Sequence, residues 1–330
     1  MKDKNFNCQY LVLWELTRAC NFNCKYCNGK KRESIYPVSG RNRMIDILIE
    51  TRRDWIIELS GGEPFLCPDI IDFSEKLTKY FHIALSTNLS ISDKVKAFAG
   101  RINPDKVKYI YASLHIEERE KLGSVEEFIY NVTSLKKKGF NIHVNYVMHP
   151  ALIGRFTKDY SRFADRGIIL SPRAFTGWYK GKIYPQSYSP EEKDLILEYK
   201  PSAEFYPYHF KGIKCDAGIR LLRINEDSTV NPCVGDRRII GDVNTGIKFY
   251  DEPRRCRSYV CPCRGLDLIH TKGISRRISS SNFRYILLSG LRGKYSVGVI
   301  KLIRQAVFSV LDSRVNVLKK YRIRSNIENV

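Results

Sequence analysis

No stretch of the 330 residues reaches the roughly 18 uninterrupted apolar residues that a membrane-crossing helix needs. Residues 1–10 are polar and charged and hold no apolar signal-peptide core, so the expected location is the cytoplasm. Acids are scarce: 35 Asp and Glu face 56 Lys and Arg, a formal net charge of +21. No recognisable RNA-binding module accompanies that excess. A further shortfall lies in the cysteines. Cys20, Cys24 and Cys27 form a C-x3-C-x2-C array that supplies three thiolates and stops one short of a closed tetrahedral set.

A structural zinc site is closed by four ligands, whereas a four-iron cluster held by three thiolates keeps one iron open for a small chelating ligand. Ten cysteines in a reducing compartment point to metal ligands or catalytic groups before disulfides. Cys8 and Cys67 have no sequence partners and read as small buried hydrophobes, although Cys67 follows a loop that belongs to the site.

That loop is Ser60-Gly61-Gly62-Glu63-Pro64, about 35 residues beyond the cysteines. Its two glycines let backbone approach a ligand, and Glu63 can accept from an ammonium. Together with Tyr26 just before the last cysteine, the two motifs resemble those of the radical S-adenosylmethionine (SAM) enzymes. The resemblance implies a [4Fe-4S] cluster on Cys20, Cys24 and Cys27. It also implies that Tyr26, Gly61, Gly62 and Glu63 lie against SAM.

Short β-branched or aromatic runs at 10–17, 55–60, 82–87, 107–114, 141–148 and 167–171 predict six strands. Between them, Met44, Ile45, Leu48 and Ile49 mark one helical stripe. Ile70, Ile71, Phe73, Leu77 and Tyr80 mark a second, and Val125, Phe128, Ile129, Val132 and Leu135 a third. Strand-helix alternation with right-handed crossovers predicts an α/β fold whose parallel sheet curls toward a barrel. The resemblance implies the same: a partial (β/α)6 TIM-type barrel over 10–175, after an N-terminal lead at 1–9. Catalytic residues of such folds sit at the C-terminal ends of strands, and both motifs obey that rule. By the same resemblance, Ser86, Asn88 and Ser113 hold the ribose and carboxylate of SAM, and Asn145 and Val147 flank its adenosine. Each could equally be a strand-end cap or core residue, and His115 and His143 are substrate-handling bases or structural histidines.

Gly177, Gly181, Pro185, Pro190, Pro201 and Pro207 make residues 176–212 read as a loop-rich connector. Cys215 and Cys233 then flank a strand at Leu221–Ile224 and a turn at Asn225–Ser228. Cys256, Cys261 and Cys263 follow, giving five cysteines in about 50 residues. This resembles the SPASM and shorter twitch auxiliary-cluster domains appended to many radical SAM enzymes, here over 213–267. Cys261 and Cys263 are one residue apart where two is frequent, and too few cysteines remain for two full clusters. The resemblance thus implies one auxiliary cluster on Cys215, Cys233 and two of Cys256, Cys261 and Cys263. Four thiolates would also suit a zinc ion.

The implied chemistry is one-electron cleavage of SAM to a 5′-deoxyadenosyl radical that abstracts hydrogen from a C–H bond, with the protein supplying orientation. An auxiliary cluster could take the electron left on the substrate. Twitch-bearing relatives imply a sugar- or cyclitol-like molecule, oxidised or epimerised, or else a peptide. Only nine residues precede the first strand, which favours the small molecule because peptide-modifying relatives often carry a leader-recognition domain there. A reducing partner such as flavodoxin or ferredoxin is implied as well. Tyr146, His149, Arg173 and Tyr179 are the candidate catalytic residues, as proton acceptors.

Residues 271–330 hold 13 Lys or Arg against two acids. Val299, Ile300, Ile303, Val307, Val310, Leu311, Val315 and Leu318 recur near helical spacing, so 268–330 reads as a basic, helical C-terminal region. Such a helix packs on its own protein with a solvated charged face, lies peripherally on an anionic membrane, or meets phosphate or nucleic acid. RNA modification is therefore an alternative function. The non-enzymatic alternative is a zinc-stabilised nucleic-acid-binding protein.

Overall fold

The computed structural model describes residues 10–27, 40–205, 210–258 and 261. The N-terminal lead with Cys8, the basic C-terminal region and Cys263 lie outside the described residues. Six strands follow one another with helical crossovers: β1 (Tyr10–Glu15), α1 (Arg41–Glu50), β2 (Trp55–Ser60), α2 (Ile70–Thr78), β3 (His82–Thr87), α3 (Ser92–Arg101), β4 (Val107–Ser113), α4 (Ile116–Lys121), α5 (Val125–Lys137), β5 (Ile142–Met148), α6 (Phe156–Ala164) and β6 (Leu170–Ala174). Each strand pairs in parallel with the next, in chain order. This is the α/β partial barrel that the alternation predicts.

Alternation of side chains along each strand divides the sheet into two faces. Val12, Trp14, Ile57, Leu59, Ile83, Leu85, Ile110 and Val144 are buried against the helices. The helical stripes answer them: Met44, Ile45 and Leu48 on α1, Ile70, Ile71, Phe73 and Leu77 on α2, and Val125, Phe128, Ile129, Val132 and Leu135 on α5 are buried. Ile49 and Tyr80, at the stripe edges, are exposed. The opposite face carries a small apolar patch of Ile56, Ala84 and Tyr109 with Leu11 and Tyr111. Polar side chains lie beyond that patch.

The sixth strand begins three residues later than its apolar run suggests. Gly167, at φ 70°, closes α6 through Gly167 N–H to Ala164 O (2.8 Å) and Ile168 N–H to Phe163 O (2.9 Å), so Gly167 to Ile169 serve the turn. Pro172 is tolerated because β6 is at the edge of the sheet. The connector also holds more order than its glycines and prolines suggest. It contains a hairpin of β7 (Gly177–Tyr179) and β8 (Lys182–Tyr184), then α7 (Pro190–Tyr199). Pro190 sits at the first helical position, and Ser189 and Glu192 form a reciprocal capping box, so what reads as a breaker is a helix start.

The chain continues through β9 (Lys214–Cys215), β10 (Leu221–Ile224), β11 (Thr229–Asn231), β12 (Gly241–Asp242), β13 (Gly246–Ile247) and β14 (Arg254–Arg255). The hairpin of β10 and β11 turns at 225–228, where the sequence places it. It joins the main sheet: β10 runs parallel to β1, with Leu11 opposite Leu221 and Trp14 opposite Ile224. One ten-stranded sheet results, in the order β13-β12-β11-β10-β1-β2-β3-β4-β5-β6. Leu222, Ile224 and Val230 enter the same core as β1. Leu222→Ala should therefore cost about 2–5 kcal/mol in denaturant unfolding and lower a single transition for barrel and hairpin together. Two separate transitions, with only the smaller one moved, would show that the hairpin folds independently.

Candidate active site

Thr17, at the end of β1, is buried and starts the cysteine loop. Its Oγ1 accepts from Ala19 N–H at 3.0 Å. The loop after β2 then grips this segment: Gly62 N–H donates to Thr17 O at 2.6 Å and Glu63 N–H to Ala19 O at 2.8 Å. A Cβ on Gly61, at φ 145°, would stand 2.3 Å from Thr17 O, and one on Gly62 would stand 2.0 Å from Ala19 O. The close approach that requires glycine is thus to the cysteine loop's own backbone.

Asn21, Phe22 and Asn23, between the first two cysteines, anchor the other side. Asn21 Nδ2 donates to Ser90 Oγ (2.8 Å), Asn88 Nδ2 to Asn21 Oδ1 (3.1 Å), and Asn23 N–H to Glu118 Oε2 (2.9 Å). Phe22 is buried with its ring edge-on to His115 and under the Arg119 guanidinium. Arg119 in turn donates to the carbonyls of Leu114 and Asn88.

A cavity of about 420 Å³ opens at these strand ends, within the size range of ligand pockets. Its wall brings together Cys20, Cys24, Tyr26, Cys27, Gly61, Gly62, Ser86, Asn88, Ser113 and Val147, all of them candidates from the sequence. It does not include Glu63 or Asn145. Glu63 is fully buried and accepts from Phe65 N–H (3.0 Å), Thr87 Oγ1–H (2.6 Å) and Asn88 N–H (2.6 Å). Burial pushes its carboxyl up while the three donors and Arg119 pull it down. Asn145 Oδ1 accepts from Arg173 Nε at 2.7 Å.

Glu15, Arg18, Phe22, Thr87 and His115 also line the cavity. The sequence leaves His115 open between a substrate-handling and a structural role; Glu15, Arg18 and Phe22 have only their nearness to the cysteines as a signal, and Thr87 only its place at the end of β3 between Ser86 and Asn88. His115 takes a left-handed backbone (φ 47°) just before α4, and its Nδ1 lies 3.1 Å from Tyr26 Oη. Of the candidate proton acceptors, His149 packs 5.6 Å from the Tyr26 ring and 4.5 Å from Tyr179. Arg173 covers Tyr111 at 5.1 Å. Tyr146 instead points into the core, donating to Asp159 at 2.8 Å, with burial and that acid holding its phenol well above the usual range.

Burial pushes the Cys24 thiol up to about 12, and Glu118, Cys20 and Cys27 add to the rise. Three thiolates cannot gather there without a cation among them, so the donor set fits a positively charged metal group. Cys215, Cys233, Cys256 and Cys261 lie near enough for charge on one to act on the others. Burial first, then Cys256, Cys233 and Cys261, push Cys215 up to about 12. Cys256 is raised for the same reasons, with Asp236 contributing. Among the described residues, no group of three or more His, Cys, Asp or Glu side chains is arranged to hold a single metal ion. Cys67 is buried in the core.

Residues 14–153 match the family described as the Radical SAM superfamily. This stretch is a radical SAM domain. Members of that superfamily are enzymes that use a [4Fe-4S] cluster and SAM. An AdoMet-dependent heme synthase from Methanosarcina barkeri is 25% identical over 173 residues, 49% of either chain. A pre-heme d1 synthase from Dinoroseobacter shibae is 25% identical over 42% of this chain and 36% of its own. The chain spans about half the length, or less, of the curated relatives it matches. Among solved structures, anSMEcpe with bound AdoMet superposes with a TM-score of 0.54 at 16% identity, over 71% of this chain and 78% of that one. That likeness shows the shared fold.

Burial, reinforced by Arg119, lowers His115 from 6.5 to about 4, against a smaller upward pull from Glu118. The unfolded chain would protonate His115 near its ordinary value, whereas the folded radical SAM domain resists until lower pH. Its contribution to stability is therefore complete above about 6.5 and falls as pH drops toward 4. His115→Asn, which tolerates a left-handed backbone, should lose less melting temperature between about pH 7 and pH 4.5 than the parent. Equal losses would assign the acid sensitivity to other groups.

Proposed function

We propose that the chain is a radical SAM enzyme that holds a small polar, sugar- or cyclitol-like substrate against the inner face of its sheet and oxidises or epimerises it. The polar and aromatic character of that face beside the cavity carries this reading. Glu58 accepts from Ser86 Oγ–H and from Tyr109 Oη–H, both at 2.8 Å. Tyr109 and Tyr111 pack 4.5 Å apart, Tyr111 meets the His143 ring at 5.7 Å, and Arg173 lies over Tyr111. Ser86 also lines the cavity, so the two regions are contiguous. Rings flanked by a carboxylate, an amide and a guanidinium suit a molecule with apolar C–H faces and hydroxyl edges.

Cys20, Cys24 and Cys27 would hold the [4Fe-4S] cluster, and Gly61, Gly62, Ser86, Asn88, Ser113 and Val147 would surround SAM. When bound, that pair supplies a 5′-deoxyadenosyl radical that takes hydrogen from carbon. The chain itself orients the substrate, excludes water and receives the proton that an oxidation releases. His149, packed beside Tyr26 and Tyr179, is the acceptor we assign to that proton by its position, with burial lowering its pKa. Cys215, Cys233, Cys256 and Cys261 would hold the auxiliary cluster as electron acceptor. A flavodoxin or ferredoxin would provide the reducing electron.

The relatives' names support a second reading, a tetrapyrrole substrate. Arg173 and Arg223 would then meet its carboxylates.

Anaerobic reconstitution should load about eight irons with matching sulfide and yield 5′-deoxyadenosine from SAM on reduction. Stoichiometric zinc without SAM cleavage would sink the enzymatic reading, and about four irons would remove the auxiliary cluster alone. Cys24→Ala should abolish 5′-deoxyadenosine formation. Cys233→Ala should stop substrate turnover while leaving some SAM cleavage. Deuterium transfer into 5′-deoxyadenosine from labelled cyclitols, tetrapyrroles or peptides separates the substrate classes.

A further inference from the structure

The cavity holds a charge arrangement that neither cysteine group explains. Among its described lining residues Arg18 is the only permanent cation, on a wall it shares with Glu15 and the three thiols. His115 is held neutral. A ligand with a carboxylate thus finds one charge partner on this wall.

Arg18 does not set its own position. Its Nε lies 2.7 Å from Glu226 Oε1, in the turn of the β10–β11 hairpin, some 200 residues away in sequence. Glu226 is 6% exposed, and its Oε2 is buried without a hydrogen-bond donor. A carboxylate kept there at that cost depends on Arg18 for compensation, and the dependence fixes the guanidinium in return. Glu15 extends the line, 4.0 Å from Arg18 and 2.5 Å from Arg223 on β10. Acid and base alternate from the hairpin to the cavity wall, with β10 held in register on β1 beneath them.

We infer that Arg18 recognises the carboxylate end of the cavity's ligand and that Glu226 is its positioning residue, so the hairpin flanked by Cys215 and Cys233 completes the SAM site. This rests on the reading of the cavity as a SAM site. The guanidinium offers donors beyond the Nε that Glu226 engages, and its planar fork matches a carboxylate. The cysteine loop alone lacks the means to aim that fork.

Two probes separate this role from a structural one. S-Adenosylhomocysteine and 5′-methylthioadenosine share the adenosine and thioether and differ in the amino-carboxylate end. Binding to the reconstituted full chain is measured by calorimetry. Arg18→Gln should weaken S-adenosylhomocysteine about tenfold while changing 5′-methylthioadenosine less than about twofold. Glu226→Gln should shift the same ratio in the same direction with Arg18 intact, and Arg18→Lys should fall between parent and Gln. An unchanged ratio in Arg18→Gln, or equal weakening of both probes, overturns the assignment. A ratio moved by Arg18→Gln and not by Glu226→Gln overturns the hairpin's part. If the parent binds neither probe, the SAM reading itself fails, which is a different result. Should Glu226→Gln fold poorly, Glu226→Asp, which keeps the charge and shortens the reach, must still lower the ratio.

Discussion

The site depends on one latch, the contact between Gly61-Gly62-Glu63 and the backbone of Thr17 to Ala19. Backbone hydrogen bonds at 2.6 and 2.8 Å fix the cysteine loop to the end of β2, and no side chain larger than hydrogen fits between the segments. The Glu63 carboxylate then reaches the other way, to Thr87 and the Asn88 amide after β3. A buried carboxylate normally raises its own energy by losing water, and three aimed donors offset part of that loss, burial still holding the Glu63 carboxyl above its ordinary value. Arg119 continues the line by donating to the carbonyls of Asn88 and Leu114. Four strand ends are locked by groups that would be unsatisfied if any one of them moved. Precision at the cavity thus comes from backbone donors and acceptors, which have little conformational freedom to lose.

Above this latch, the two faces of the sheet have separate roles. The helix-facing side is filled by Val12, Trp14, Leu59, Leu85 and their helical partners, and supplies cohesion. The inner side has only a small apolar patch before Glu58, Tyr109, Tyr111, His143 and Arg173 begin. Strand alternation makes the division possible, because changing an inward residue leaves the helix-facing core intact. Substrate preference can therefore vary on the inner face without a large loss of stability.

Local features were the legible ones. Alternating β-branched runs and helical stripes gave five strands nearly in register, and three thiols with a glycine-rich segment identified the cavity wall. The sixth strand slipped because Gly167 reads as part of an apolar run, while its positive φ assigns it to the end of α6. In the connector, Pro190 reads as a breaker where it starts a helix, since proline lacks only a donor that the first turn does not use. The protein partners of Glu63 were hidden for another reason. A glutamate in a ligand loop suggests ligand contact, and its three protein donors become visible only when β3 is laid beside β2. Arg18 and Glu226 were illegible in the same way, because the sequence does not reveal that their segments meet.

That meeting has a consequence for how the two cysteine groups are related. Without β10, β1 would be an edge strand, with its outer N–H and C=O groups unpaired beside the cysteine loop. Parallel pairing with β10 satisfies those groups and brings Leu222 and Ile224 into the core that holds Val12 and Trp14. The hairpin flanked by Cys215 and Cys233 is thereby attached to the strand that feeds Cys20, Cys24 and Cys27. The connection between the two groups therefore runs through ladder hydrogen bonds and the Arg18–Glu226 pair, both short and directional. Coupling of that kind needs packed elements with few alternative arrangements, and a strand paired on both sides beneath a closed core is such an element.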